Sequence, residues 1–232
     1  MGKRVAIIQS CYIPWRGFFD FIGRVDEYIL FDDVQFAKRH WHNRNKIKTA
    51  QGMQWLTVPV VSKGKFAQTI EETTIAAPWA SSHWKSIQHA YGKAPYFRSY
   101  GPKIEALFDQ AAKLDNLSLV NELLLSDLAR LLGITTPMRR SSSFAAEGRK
   151  TDRLVSLCKT VGATHYLSGP SARDYIEPEK FETAGIELEW MDYSGYREYP
   201  QLHGAFEPAV SVLDLIFNVG DEALTYVRRT AL

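Results

Sequence analysis

The first 33 residues constrain the fold of this chain more than any other stretch. Residues 4–9 (RVAIIQ) are short, apolar and β-rich, as a buried strand is. A polar loop follows. Residues 17–25 (GFFDFIGRV) then set Phe18, Phe21, Ile22 and Val25 at i, i+3, i+4 and i+7, the stripe of a short amphipathic helix. A second apolar run at 27–31 (EYILF) stops at Asp32-Asp33. Strand, helix and strand within about 30 residues make a βαβ unit, which sets two parallel strands side by side. Ligands of open α/β sheets bind beyond the carboxyl ends of the strands, so the loop after the first strand is the place to look for chemistry.

The rest of the chain alternates in the same way. Residues 46–49 and 54–60, joined by Ala50-Gln51-Gly52, read as a hairpin. Residues 69–75 look strand-like. Pro78 suits a helix start, with Trp79, His83 and Ile87 recurring on one face. Two more helices follow at 99–113 and 117–132, the latter closed by Gly133. A second α/β rhythm comes next: strand 138–142, helix from Thr151, strand 164–167, helix 177–183 and strand 186–191. The apolar tail 210–219 packs as a helix. The expected architecture is one α/β domain over 1–232, with a mostly parallel Rossmann-like, nucleotidylyltransferase-like sheet, a hairpin and a helical insertion at about 78–132.

Composition narrows the function classes. A net charge of +2 over 232 residues does not mark a nucleic-acid protein, so nucleic acid is admitted as a partner but not favoured. No apolar run reaches the roughly 20 residues that span a bilayer. The N-terminal apolar stretch is too short for a signal sequence and reads as a strand. Cys11 and Cys158 are far apart and lack metal-site spacing, which favours a reducing, cytoplasmic setting.

Four stretches carry candidate chemistry. In the first loop, Gln9, Tyr12, Trp15 and Gly17 form a substrate-binding set ahead of a helix N-terminus, with Gly17 allowing close backbone approach. Pro14, Trp15 and Gly17 also suit a plain turn. Cys11 lies in the same loop without a visible base partner. At the tip of the second strand, Asp32 and Asp33 suit a general base or a Mg²⁺ ligand, with Gln35 beside them. The competing reading is a turn pair bonding its own amides. No cofactor is obligatory. The basic, aromatic segment Lys38, Arg39, Trp41, Asn43, Arg44 and Asn45 suits a phosphate-bearing ligand, with Trp41 as a stacking surface. His40 and His42 lack a third ligand for a metal. Near the fourth candidate strand, Ser168, Gly169, Ser171 and Tyr175 supply hydroxyls and a glycine at a strand tip.

Taken in order, these residues resemble one family, the WbqC-like proteins found among bacterial O-antigen and polysaccharide gene sets. The match runs through Gln9, Tyr12, Pro14-Trp15, Gly17-Phe18-Phe19, Asp32 to Phe36, Lys38, Trp41, Asn43-Arg44-Asn45 and Trp55 to Val60. It continues through Tyr166 to Gly169, Tyr175 and the tail from Pro200-Gln201 to Asn218. The family usually has Pro after the first Gln, where this chain has Ser10 and Cys11. The resemblance implies a role in surface glycan biosynthesis, with glycyl, aminoacyl or acyl transfer to a nucleotide- or lipid-linked sugar. In such a transfer Asp32 or Asp33 accepts a proton, Lys38 and Arg44 hold phosphate, and Trp15 or Trp41 stacks on a ring.

A remoter similarity is to nucleotidylyltransferases, which place a His-x-Gly-His element at the start of the first helix. Here the stretch reads Trp15-Arg16-Gly17-Phe18, without either histidine. A nucleotidyltransferase and a non-catalytic module that binds nucleotide, RNA or glycan stand as the alternatives.

Overall fold

The first apolar run becomes the centre of the sheet. This computed structural model describes residues 2–228. Strand β1 (Arg4–Ile8) lies between β2 (Glu27–Leu30) and β6 (His165–Ser168). β5 (Met138–Arg140) adds to the outside of β2, and β7 (Glu187–Trp190) to the outside of β6. The order is β5-β2-β1-β6-β7, and every neighbouring pair is parallel.

From Val5 to Ile8 β1 is apolar because both of its faces are covered, as parallel sheets require. Val5 and Ile7 face one layer, with Ile29, Tyr166 and Phe181. Ala6 faces the other, with Phe18, Phe19 and Ile22. Full burial of a side chain such as Phe19 contributes roughly 1.5–3 kcal/mol. The first layer holds α5 (Thr151–Thr160) and α6 (Pro178–Thr183). The second holds α1 (Arg16–Gly23), α2 (Ala80–Tyr91), α3 (Phe97–Ala111), α4 (Leu117–Leu131), α7 (Val212–Val219) and α8 (Ala223–Val227).

The chain thus winds outward from β1 through β2 to β5 on one side. It then returns through α5 to β6 and β7 on the other. β1 and β6 are the neighbours from which the connections diverge, and a crevice opens at such a switch point.

Between β2 and β5 the chain makes the hairpin β3 (Arg44–Thr49) and β4 (Gly52–Thr57), then α2, α3 and α4. The stretch expected as a strand at 69–75 forms none. Thr69 bridges Gln35, Thr74 bridges Asn116 and Ile75 bridges Val60. Each bridge has a different partner, so the segment never runs beside one strand long enough to build a ladder. Among the described residues no helix is long and apolar enough to cross a membrane.

Candidate functional site

The loop after β1 is held by donors from distant segments. Ser10 N–H donates to Asp32 Oδ1 at 2.8 Å, and Ser118 Oγ donates to Asp32 Oδ2 at 2.5 Å. Asn121 Nδ2 donates to Ser10 Oγ at 2.9 Å. Asn45 Nδ2 donates to the carbonyls of Tyr12 and Ile13 at 3.1 and 3.0 Å, and Asn45 Oδ1 accepts from Lys46 N–H at 2.8 Å. Ile13 has φ of +36°, rare for a β-branched residue. Such a conformation persists only where its surroundings over-determine it, and the Asn45 amide is one of the groups that does so.

This scaffold corrects several sequence expectations. Asp32 does not turn to solvent: it is 2% exposed, and burial raises its pKa. Asp33 pairs with Arg153 and accepts from Ser141 Oγ. Carboxylates spent on protein donors are a poor start for a Mg²⁺ site. Gln35 donates through Nε2 to Phe66 O at 2.9 Å, in the outer crossing of the loops. Tyr12 is buried, with its hydroxyl 2.8 Å from His83 Nδ1. Gly17 makes room for a neighbour rather than a ligand, since a Cβ there would stand 2.4 Å from the Trp15 ring.

The basic segment also divides. Asn43 is buried and donates to Val58 O at 2.9 Å. The Arg44 guanidinium lies 4.2 Å from the Trp55 ring centre and donates to Arg39 O. Lys38 and Arg39 are exposed.

Two hollows flank the loop. The larger, about 660 Å³, opens over the carboxyl ends of β1 and β6. Gln9, Ser168, Gly169, Ser171 and Tyr175 all line it, so residues 159 positions apart (168 − 9) share one wall. His40, His42, Lys150 and Glu177 also line it, and sequence reasoning did not place them there. Lys150 immediately precedes α5, so the amino end of α5, not that of α1, borders this crevice. The expected helix start at Thr151 was the available signal for Lys150. The smaller hollow, about 350 Å³, is apolar and is lined by Pro14, Trp15, Phe18, Trp41, Asn45, Pro208 and Ala209. Cys11 lines both. Asp32, Asp33, Gln35, Lys38, Arg39, Asn43 and Arg44 line neither, and nor do Tyr12 and Gly17.

The crevice is electrostatically unusual at its histidines. His42 Nδ1 sits 3.0 Å from Ser10 O, an acceptor, so this nitrogen carries the proton and Nε2 keeps its lone pair. Burial lowers the His42 pKa to about 4, against the opposing pull of that hydrogen bond. The His40 ring lies 4.5 Å from it between centroids, and burial and then Arg44 lower its pKa too. Burial and then Asp32 push the Cys11 thiol up to about 12, so it is not a thiolate at neutral pH.

A different cluster, His165, Glu187 and Glu189, brings potential metal ligands within 4.8 Å of one another. His165 and Glu187 open β6 and β7, none of the three lines the crevice, and Arg4 pairs with Glu189 at 2.9 Å.

The comparisons with known proteins agree with the family resemblance drawn above. An uncharacterized protein of Mycobacterium tuberculosis (strain ATCC 25618 / H37Rv), Rv1507c, is 49% identical over 227 residues, covering 97% of this chain and 98% of that protein. No solved structure matches. The profile of the WbqC-like protein family matches residues 9–226, almost the whole length, and the chain belongs to that family.

Proposed function

We propose that this protein is a cytoplasmic group-transfer enzyme of surface glycan assembly, moving an aminoacyl or acyl group onto a sugar carried by a nucleotide or a lipid. The observation that supports this reading is the crevice at the switch point between β1 and β6, where polar side chains converge on a partly apolar floor. Gln9, Ser168, Ser171 and Tyr175 offer amide and hydroxyl groups suited to sugar hydroxyls. Lys150 and the amino end of α5 suit a phosphate.

In this reading the sugar amine attacks the carbonyl carbon of the donor. The C–N bond forms as the bond from that carbon to the leaving oxygen or sulfur breaks. The amine proton passes to His42 Nε2, which is unprotonated at neutral pH, and from there to the leaving group. Asp32 acts at one remove, by fixing Ser10, whose carbonyl orients His42. Asp33 holds Arg153 and does not touch the substrate.

The test is a transfer assay read by mass spectrometry. Nucleotide-linked and lipid-linked amino sugars serve as acceptors, and aminoacyl and acyl esters and thioesters as donors. The expected result is an acceptor heavier by the acyl group, with the rate reduced about a hundred-fold in His42→Gln. Sugar binding should weaken about five- to ten-fold in Ser168→Ala, the loss of one hydrogen bond. Binding of sugars with no transfer from any donor would make the protein a binding module. Release of pyrophosphate from a nucleotide would make it a nucleotidyltransferase.

A further inference from the structure

We propose that the apolar hollow beside the crevice holds the hydrocarbon chain of a phosphate-bearing lipid, the carrier of the sugar bound next door. The sugar half of this statement rests on the proposed function, whereas the chain half stands on the hollow itself.

The hollow offers little to a polar occupant. Its one side-chain amide, Asn45, is spent on Tyr12 O, Ile13 O and Lys46 N–H. The main-chain carbonyls of Pro14, Trp15 and Trp41 already accept from Val212, Phe18 and Tyr12. Among the lining side chains what remains is indole N–H and the weakly polar Cys11 thiol, with no strong acceptor. A nucleobase would leave its own N–H unpaired there, at a cost of about 1–3 kcal/mol per group. A hydrocarbon loses nothing. A cavity of about 150 Å³ already holds a benzene ring. The present volume of about 350 Å³ therefore holds a chain on the order of a dozen carbons.

The rim supplies the charge. Trp41 is 40% exposed and its ring lies 5.4 Å from that of Trp55, which is 41% exposed. Arg44 and Lys46 lie over the Trp55 ring at 4.2 and 5.0 Å. Among the described residues neither cation has an ion-pair partner, and Arg44 Nε is buried without an acceptor. Arg44 also stands close enough to His40, in the crevice wall, to lower its pKa. A phosphate at Arg44 therefore sits between a chain in the hollow and a sugar in the crevice.

Isothermal titration tests this with four probes: decyl phosphate and geranyl phosphate below their micelle concentrations, inorganic phosphate, and uridine monophosphate. The expected result is that at least one chain phosphate binds ten-fold or more tighter than the other two probes. The ratio of decyl to geranyl affinity tells a straight chain from an isoprenoid one. Ala209→Phe, which fills the hollow from its exposed edge, should lose that binding at least ten-fold with an unchanged unfolding temperature. Trp41→Ala, which removes a wall, should do the same. Arg44→Ala should lose about ten-fold against decyl phosphate and nothing against decanol. Equal affinity for uridine monophosphate, or decyl phosphate affinity untouched by both Ala209→Phe and Trp41→Ala, overturns the proposal. N-acetylglucosamine 1-phosphate separates the two readings. If it fails to bind while decyl phosphate binds, the crevice reading falls and the chain site stands.

Discussion

The two hollows that meet at Cys11 share one loop and differ in chemistry: polar and apolar side chains mix in the crevice, whereas the other hollow is almost wholly apolar. The crevice is walled by strand ends, where main-chain direction delivers Gln9 and Ser168 to the same edge of the sheet. The apolar hollow is walled by side chains from the loop, from α1, from the hairpin approach and from the 208–209 turn. Topology builds the first, and side-chain contacts between segments distant in sequence build the second. The partition between them is a strained loop held from behind, so its stability and the identity of both hollows are linked.

The largest expected effect is acid lability on both sides of that loop. His42 beside the crevice and His83 behind Tyr12 are each held to a pKa of about 4 by burial, below the ordinary value of 6.5. A folded-state pKa below the unfolded one means that the native chain binds fewer protons in the window between. Stability is therefore full above pH 6.5 and falls as pH drops from 6.5 toward 4, by roughly 3 kcal/mol for each histidine. Asp32, whose pKa is raised by burial, works in the opposite direction, so the informative quantity is the difference between variant and parent. Urea unfolding of His42→Gln from pH 7 to 4 should show a slope shallower by about one proton. An identical slope would mean that His42 is not held neutral.

Next comes Asn45→Ala, which leaves the carbonyls of Tyr12 and Ile13 and the N–H of Lys46 unpaired. The expected loss is about 2–3 kcal/mol in denaturant unfolding, together with weaker binding in both hollows. A loss confined to one hollow would show that the partition is not shared.

Arg44→Ala removes a guanidinium from the Trp55 ring at a half-exposed site, so stability should fall by only roughly 0.5–1 kcal/mol. A larger loss in thermal unfolding would make Arg44 a structural residue and weaken its assignment to phosphate. The smallest effect is expected for Cys11→Ser. Its thiol is pushed up to about 12, and transfer should stay within about three-fold of the parent. A drop of three orders of magnitude would point to a thioester on Cys11.

Much of this was legible in the chain itself. The period of apolar residues placed β1, α1 and β2 within one or two residues of their bounds, because a buried parallel strand and an amphipathic helix write their burial locally. Glycine at the left-handed position of Gly133, with φ of +76°, marked the end of α4. The Thr69–Ile75 run deceived because β propensity reports a fit to some sheet, not the presence of a partner. Asp32, Asn43 and Asn45 read as site residues because a polar side chain in a loop looks the same whether it faces a ligand or a buried main-chain group.

What the sequence determined by itself was most of the run of strands and helices, the parallel α/β class, and the placing of Gln9 and Ser168 at carboxyl strand ends. Each follows from periodicity and chain direction, which are local. What only the tertiary structure decided was which polar groups are spent. Asp32 bonds Ser10 and Ser118, Asn45 bonds Tyr12 and Ile13, and Asp33 holds Arg153, while His42, in the crevice wall, bonds Ser10 O through Nδ1. Those partners lie 22 to 120 residues apart along the chain, so no local pattern encodes them. The reason is physical: a hydrogen bond is satisfied by geometry in three dimensions, and the chain supplies that geometry only once the sheet and its helices have closed around the first loop.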